Sequence, residues 1–129
     1  MKRFVSIVLI ALLALSCIGC AKYQTHYNAV LFVHSNTDDS AFMEFYQFEG
    51  TMVFTLRANA SDTLKYTGTL ETGSATVSYD CGDGKTALFS VDAGDTVNDS
   101  LALMSGGTVY VIVETDGRCE NGAFTFSIE

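Results

Sequence analysis

The residues able to do proton, thiol or metal chemistry in this 129-residue chain are two histidines, four cysteines and fifteen carboxylates. Histidine is the usual base near neutral pH. His26 sits in a polar N-terminal stretch, and His34 ends an apolar run beside Ser35 and Asn36. Neither has a spaced partner that would complete a Ser-His-Asp or Cys-His arrangement. The chain is therefore expected not to be an enzyme; a small exported hydrolase would need His34 buried beside a carboxylate in a cleft.

The carboxylates gather in turn-like stretches: Asp38 and Asp39; Asp80 and Asp83; Asp92, Asp95 and Asp99. Calcium takes six to eight oxygen ligands, which loops of neighbouring strands can supply. Asp80, Asp83, Asp92 and Asp95 are the calcium candidates, but the EF-hand spacing is absent. Turn-forming aspartate at a solvated surface accounts for them, and no metal or cofactor is expected. Cys81 (YDCGDGK) and Cys119 (DGRCENG) both lie in glycine-rich stretches. In an oxidising compartment they are candidates for a disulfide closing a loop of nearly 40 residues, with two half-buried thiols as the alternative. The bond requires both stretches to be turns at one end of the fold. Among the aromatic residues, Tyr66 and Tyr79 are in phase with core positions. Tyr110 is out of phase with Val109, Val111 and Val113 and is the exposed ligand candidate, a stacking face for a sugar in a chain that lacks Trp.

The elements that must carry these residues are strands. Leu64, Tyr66, Gly68 and Leu70 alternate with Lys65, Thr67, Thr69 and Glu71, and Ala75, Val77 and Tyr79 alternate with Ser74, Thr76, Ser78 and Asp80. The same period of two runs through Met52, Phe54 and Leu56 and through Phe124, Phe126 and Ile128, the mark of a half-buried strand. Residues 42–48 are aromatic-rich and also favour a strand. Residues 29–33 and 109–113 are apolar on both faces, which predicts central strands. Glycine-containing punctuation at Glu49-Gly50, Thr72-Gly73, residues 82–84, residues 93–95, Gly106-Gly107 and residues 116–122 predicts turns between them. The fold class expected is all-β: an antiparallel, jelly-roll-like β-sandwich of about eight or nine short strands, preceded by a cleaved signal peptide.

The first residues, MKRFVSIVLIALLALSCIGC, have a positive start, an apolar run and a small-residue exit, as secretory signals do. Ile18-Gly19-Cys20 resembles the lipobox of bacterial lipoproteins, which implies a lipid thioether on Cys20 as the mature N-terminus. Where those families usually carry Leu, this chain has Cys17, itself preceded by Ala14-Leu15-Ser16 and so a rival acceptor. Acylation of Cys20 leaves an even number of exported thiols, Cys81 and Cys119, which favours it. The expected organisation is a signal peptide over 1–19, a short lipid-anchored tether over 20–27, and a β-sandwich domain over 28–129. The C-terminal stretches FSVDAGDTV, GTVYVIVETDG and GAFTFSIE resemble jelly-roll modules of bacterial exported proteins, including pre-peptidase C-terminal domains.

Beyond the signal, five basic residues face fifteen acidic ones, a net charge of −10. That balance excludes a nucleic-acid partner, whose binding depends on basic clusters. The expectation for function is an exported, membrane-anchored cell-envelope lipoprotein whose sandwich is a binding or structural module. Its membrane contact is the N-terminal lipid, and its partner is a glycan or an envelope protein. A carbohydrate-binding jelly roll would show two or three exposed Tyr or Phe on one concave face.

Overall fold

A computed structural model of the chain describes residues 23–129, so the signal region with Cys17 and Cys20 lies outside the described residues. Six strands follow one another: β1 (His26–Asn36), β2 (Ser40–Ala58), β3 (Thr63–Asp80), β4 (Thr86–Asp92), β5 (Thr96–Ala102) and β6 (Gly107–Ile128). All pair antiparallel, in the order β1-β2-β6-β3-β4, with β5 beside the first half of β3. β2, β3 and β6, of 19, 18 and 22 residues, are roughly three to four times the usual strand length of about five to six residues, because each serves both layers of a sandwich.

The layers arise by bending. The first arm of β2, up to Phe48, pairs with β6 from Cys119 onward; its second arm, from Thr51, pairs with β6 before Thr115. β3 divides likewise at Gly73, its first arm between β6 and β5 and its second between β6 and β4. The first layer therefore holds β1, the first arms of β2 and β3, the last arm of β6, and β5. The second holds the remaining arms and β4. Nine arms result, matching the count of short strands expected from the sequence. The interior faces interdigitate: Phe54 of the second layer meets Phe126 of the first at 5.9 Å between ring centroids, and Phe89 of β4 stacks on Tyr66 at 5.0 Å. Strand alternation explains the core directly, since Met43, Phe45, Leu64, Leu70, Val77, Val109, Val111, Val113 and Phe124 are all buried.

Three glycine-containing stretches that read as turns in sequence are these bends instead: Gly50 in β2, Gly73 in β3 and residues 116–122 in β6. β6 follows the outside of the fold and needs more residues to round it. Only Gly73 stands between Thr72 and Ser74, while their β6 partners Glu120 and Asp116 are separated by three residues. Gly50 has φ +131° and Gly73 φ +96°, conformations that a side chain disfavours. Close approach adds a second requirement, because a Cβ at Gly50 would lie 2.2 Å from the carbonyl oxygen of His26. Thr115 closes the bend: its Oγ1 accepts from the Gly50 N–H at 2.8 Å and donates to the Gly50 carbonyl at 3.3 Å.

One expected central strand is an edge. Residues 109–113 do lie in the central strand β6, buried at Val109, Val111, Ile112 and Val113. Residues 29–33, equally apolar, belong to β1, which among the described residues pairs only with β2 and leaves Val30, Leu31 and Val33 exposed. A two-sided apolar run reports where burial would be favourable; here only the inner face of β1 is covered, and Val30 and Val33 lie on the outer face with exposed Phe42. β1 also begins at His26, so His26 and Tyr27 are strand residues, and Tyr27 stacks on Phe32 and Phe48.

Candidate functional site

Two outer faces are available, one per layer, and they differ in kind. On the second layer, Ser74, Thr76, Ser90, Asp92, Glu114 and Asp116 surround a shallow cavity of about 480 Å³. Lys85 at its side is ion-paired with Glu114. Hydroxyls, three carboxylates and one lysine line it with no aromatic side chain, the character of a solvated acidic surface. Further along the same face Tyr110 is half-buried, its ring edge-on to Tyr23 at 5.4 Å. The hydroxyl of Tyr23 donates to Asp80 Oδ2 at 2.6 Å, and Thr25 Oγ1 accepts from the N–H of Val53. The segment before β1 is thus held along the edge and outer face of the second layer. Tyr110 has the outward phase its spacing predicts, and the neighbour on its ring is Tyr23.

On the first layer the outer face carries the exposed apolar side chains. Phe42, Glu44 and Tyr46 alternate with buried Ala41, Met43 and Phe45 on β2, and Tyr46 is 46% exposed. Beside them on β1 stand Val30, Val33 and Leu31, the last 78% exposed. Leu31 has φ +49° and makes no ladder pair, although the register of β1 against β2 is the same on both sides of it, so the left-handed backbone at this one residue leaves its side chain in solvent. Single exposed apolar residues are common, but five large ones on two adjacent strands form a patch of the sort that marks interaction sites. The spacing of Phe42 and Tyr46 puts both on one face of β2, but the sequence did not mark that face as the outer one, since Phe48 nearby is buried. The β1 half was hidden because its apolar run resembled core.

The remaining sequence candidates are separated rather than assembled. Cys81 and Cys119 are free thiols, which corrects the expected disulfide. Cys119 lies in the bend, its Sγ donating to the carbonyl of Ser74 at 3.3 Å, whereas Cys81 follows the far end of the second arm of β3. Seven residues of strand separate Ser74 from Cys81, about 23 Å, against the 7 Å between Cα atoms that a disulfide tolerates. The physical reason is that residues 116–122 are a bend inside β6 and not a turn at the end of the sandwich. Burial pushes the Cys119 thiol up and the nearby Asp116 charge adds to this, with the Ser74 hydrogen bond acting in the opposite direction.

The calcium candidates fall into two distant pairs. Asp92 pairs with Ser74 at one end of the second arm of β3, and Asp80 ends the same arm six residues on, about 20 Å away. Asp80 is fully buried and already engaged: Oδ1 accepts from the N–H groups of Gly82 and Gly84, and Oδ2 from Tyr23. Asp95 accepts from the N–H of Asp92 across their turn, while Asp83 stays exposed. No group of three or more metal-ligating side chains occurs among the described residues. His34 is exposed on β1, its ring 4.8 Å from Phe32, and not in a cleft.

No protein-family model matches the chain, and no curated protein matches it. Among solved structures it is similar to PliG of Aeromonas hydrophila, a periplasmic inhibitor of g-type lysozyme. The identity is 17%, over 71% of this chain and 88% of that one, with a TM-score of 0.52. It also aligns with TmCBM61, solved with β-1,4-galactotriose, at 14% identity over 76% of this chain and 69% of that one (TM-score 0.46). A pre-peptidase C-terminal domain of Bacillus anthracis collagenase aligns at 16% identity over 62% of this chain and 77% of that one (TM-score 0.44). At these identities the likeness to PliG is one of fold, an antiparallel β-sandwich shared with a periplasmic protein.

Proposed function

We propose that this chain is an extracytoplasmic lipoprotein, anchored by a lipid on Cys20, whose sandwich is a non-enzymatic module that binds an envelope protein through the outer face of its first layer. The observation that carries this reading is the position of the patch formed by Val30, Leu31, Val33, Phe42 and Tyr46. Tyr23, three residues beyond Cys20, rests on the outer face of the opposite layer against Tyr110 and Asp80. Three extended residues reach only about 10 Å. A lipid on Cys20 therefore turns the second layer to the membrane and the apolar face of the first layer outward, toward a partner and away from the bilayer.

A carbohydrate ligand is the second reading, favoured by the two exposed aromatic rings, Phe42 and Tyr46, on one face. Val30, Leu31 and Val33 beside them fit a protein surface better, since aliphatic side chains offer a sugar no stacking face.

The test introduces a photo-crosslinking amino acid at position 46 or at position 76, on the opposite face, and irradiates intact cells. Adducts from position 46 to a protein other than a second copy of this chain, and none from position 76, support the reading. Equal labelling from both positions overturns it. Glycan-array binding abolished by Tyr46→Ala, with no protein adduct, transfers the assignment to carbohydrate. Intact-mass measurement of the mature N-terminal peptide tests the lipid on Cys20 against Cys17.

A further inference from the structure

The free strand edges of the sandwich are not equally protected. The edge of the second arm of β2 is covered: Thr25 Oγ1 takes the Val53 N–H, and the Asn36 amide both donates to the Thr55 carbonyl and accepts from the Thr55 N–H. β4 is seven residues long, preceded by Lys85 and ended by Asp92, and it carries a register shift against β3. β5 is also seven residues long and bears Asp99 near its centre. Short length, charges and irregular pairing are the devices by which natural sheets prevent edge-to-edge association. β1 has eleven residues, HYNAVLFVHSN, with no Asp, Glu, Lys, Arg or Pro, and its outward apolar side chains are exposed. Its one irregularity is the left-handed backbone of Leu31, across which the register with β2 is unchanged.

We infer that β1 is the seat of a homodimer, in which β1 of one copy pairs antiparallel with β1 of a second and joins the two first layers into one continuous sheet. The occupant is a second copy for two reasons. The first is charge. Although the chain is strongly acidic, the paired strip is uncharged, and the nearest carboxylates on the outer face, Glu44 and Glu49, lie one strand further in, opposite Val33 and Asn28. Across the joined sheet the Glu44 and Glu49 carboxylates of one copy are at least three strand spacings from those of the other, about 14 Å, which exceeds the screening length of roughly 8 Å at physiological salt.

The second reason is symmetry, and it rests on the anchoring proposed above. An antiparallel pairing of identical strands has its two-fold axis normal to the sheet. Both copies then keep the second layer, with Tyr23 against it, on the same side, so two lipid anchors enter one membrane without strain. Strand addition alone buries less surface than a typical stable complex in free solution. An interface of this size suits a dissociation constant of about 1–100 μM, and confinement to one membrane raises the effective concentration beyond that range. Cross-strand contact of Val30, Leu31 and Val33 from the two copies adds apolar burial to the backbone hydrogen bonds.

The experiment measures the mass of the full mature protein in detergent by sedimentation at about 1 and about 100 μM, alongside the double variant Val30→Lys/Val33→Lys. The expected result is a dimer for the wild type and a dimer dissociation constant raised at least about tenfold in the variant, whose melting temperature is unchanged. A wild type that stays monomeric at both concentrations overturns the inference, as does a dimer that the two lysines leave intact. Should the variant fail to fold, amide hydrogen exchange of the wild type decides: protection of residues 28–34 that rises with protein concentration supports the dimer, and protection independent of concentration overturns it. An unmodified Cys20 would remove the anchoring reading and leave the dimer result standing by its own mass.

Discussion

Replacing Gly50 by alanine tests the claim that the sandwich is made by bending long strands. At φ +131° an alanine is strained, at a cost of about 1–3 kcal/mol. The new Cβ would also lie 2.2 Å from the His26 carbonyl oxygen and 2.7 Å from the Tyr27 Cα, both backbone atoms. Neither can swing away as a side-chain tip would, so β1 must retreat by about 1 Å to restore ordinary contact. That retreat pulls Tyr27 from its stack on Phe48, and the two costs together reach about 4 kcal/mol, at the high end for a single substitution. Gly117→Ala is the control: φ is +75°, nothing lies within 4 Å of its Cβ, and the expected cost is only about 1–2 kcal/mol. Urea unfolding monitored by circular dichroism measures both. Equal losses at the two positions would refute the reasoning, because they would mean that the close approach of β1 at the bend contributes nothing.

The two thiols should behave differently. Cys81 is expected to react with a thiol reagent in the native protein, while Cys119, buried and pushed toward its neutral form, reacts only on unfolding. Folding raises the affinity of Cys119 for its proton, so its contribution to stability is present below the ordinary thiol range of about 8.5 and is lost as pH rises beyond it. Burial and the Asp99 charge push Tyr66 in the same direction, so denaturation midpoints should fall from about pH 9 upward, and a midpoint that rises there would contradict both assignments. Tyr23→Phe removes a hydrogen bond to the buried carboxylate of Asp80 and should cost about 1–3 kcal/mol, measured by thermal unfolding. Phe124→Ala, which empties the interior between Phe45 and Phe89, should cost about 3–5 kcal/mol in the same assay.

Alternation alone determined most of the architecture. Leu64 to Leu70, Ala75 to Val77, Met52 to Leu56 and Phe124 to Phe126 bury the faces that a period of two assigns them, because a pleated strand places successive side chains on opposite sides whatever the topology. The number of arms was legible for the same reason. Glycine marked the right places but left their meaning open: a positive φ serves a hairpin or a bend equally, and only the pairing of β2, β3 and β6 decided that Gly50, Gly73 and residues 116–122 carry strands from one layer to the other. That decision separates Cys81 from Cys119, while the length of the β3–β4 ladder keeps the aspartate pairs apart. It also explains the candidate face. Local sequence shows that residues 29–33 are apolar; whether a strand is flanked on both sides is a property of long-range order, and the tertiary structure left β1 at the edge with Val30, Leu31 and Val33 in solvent.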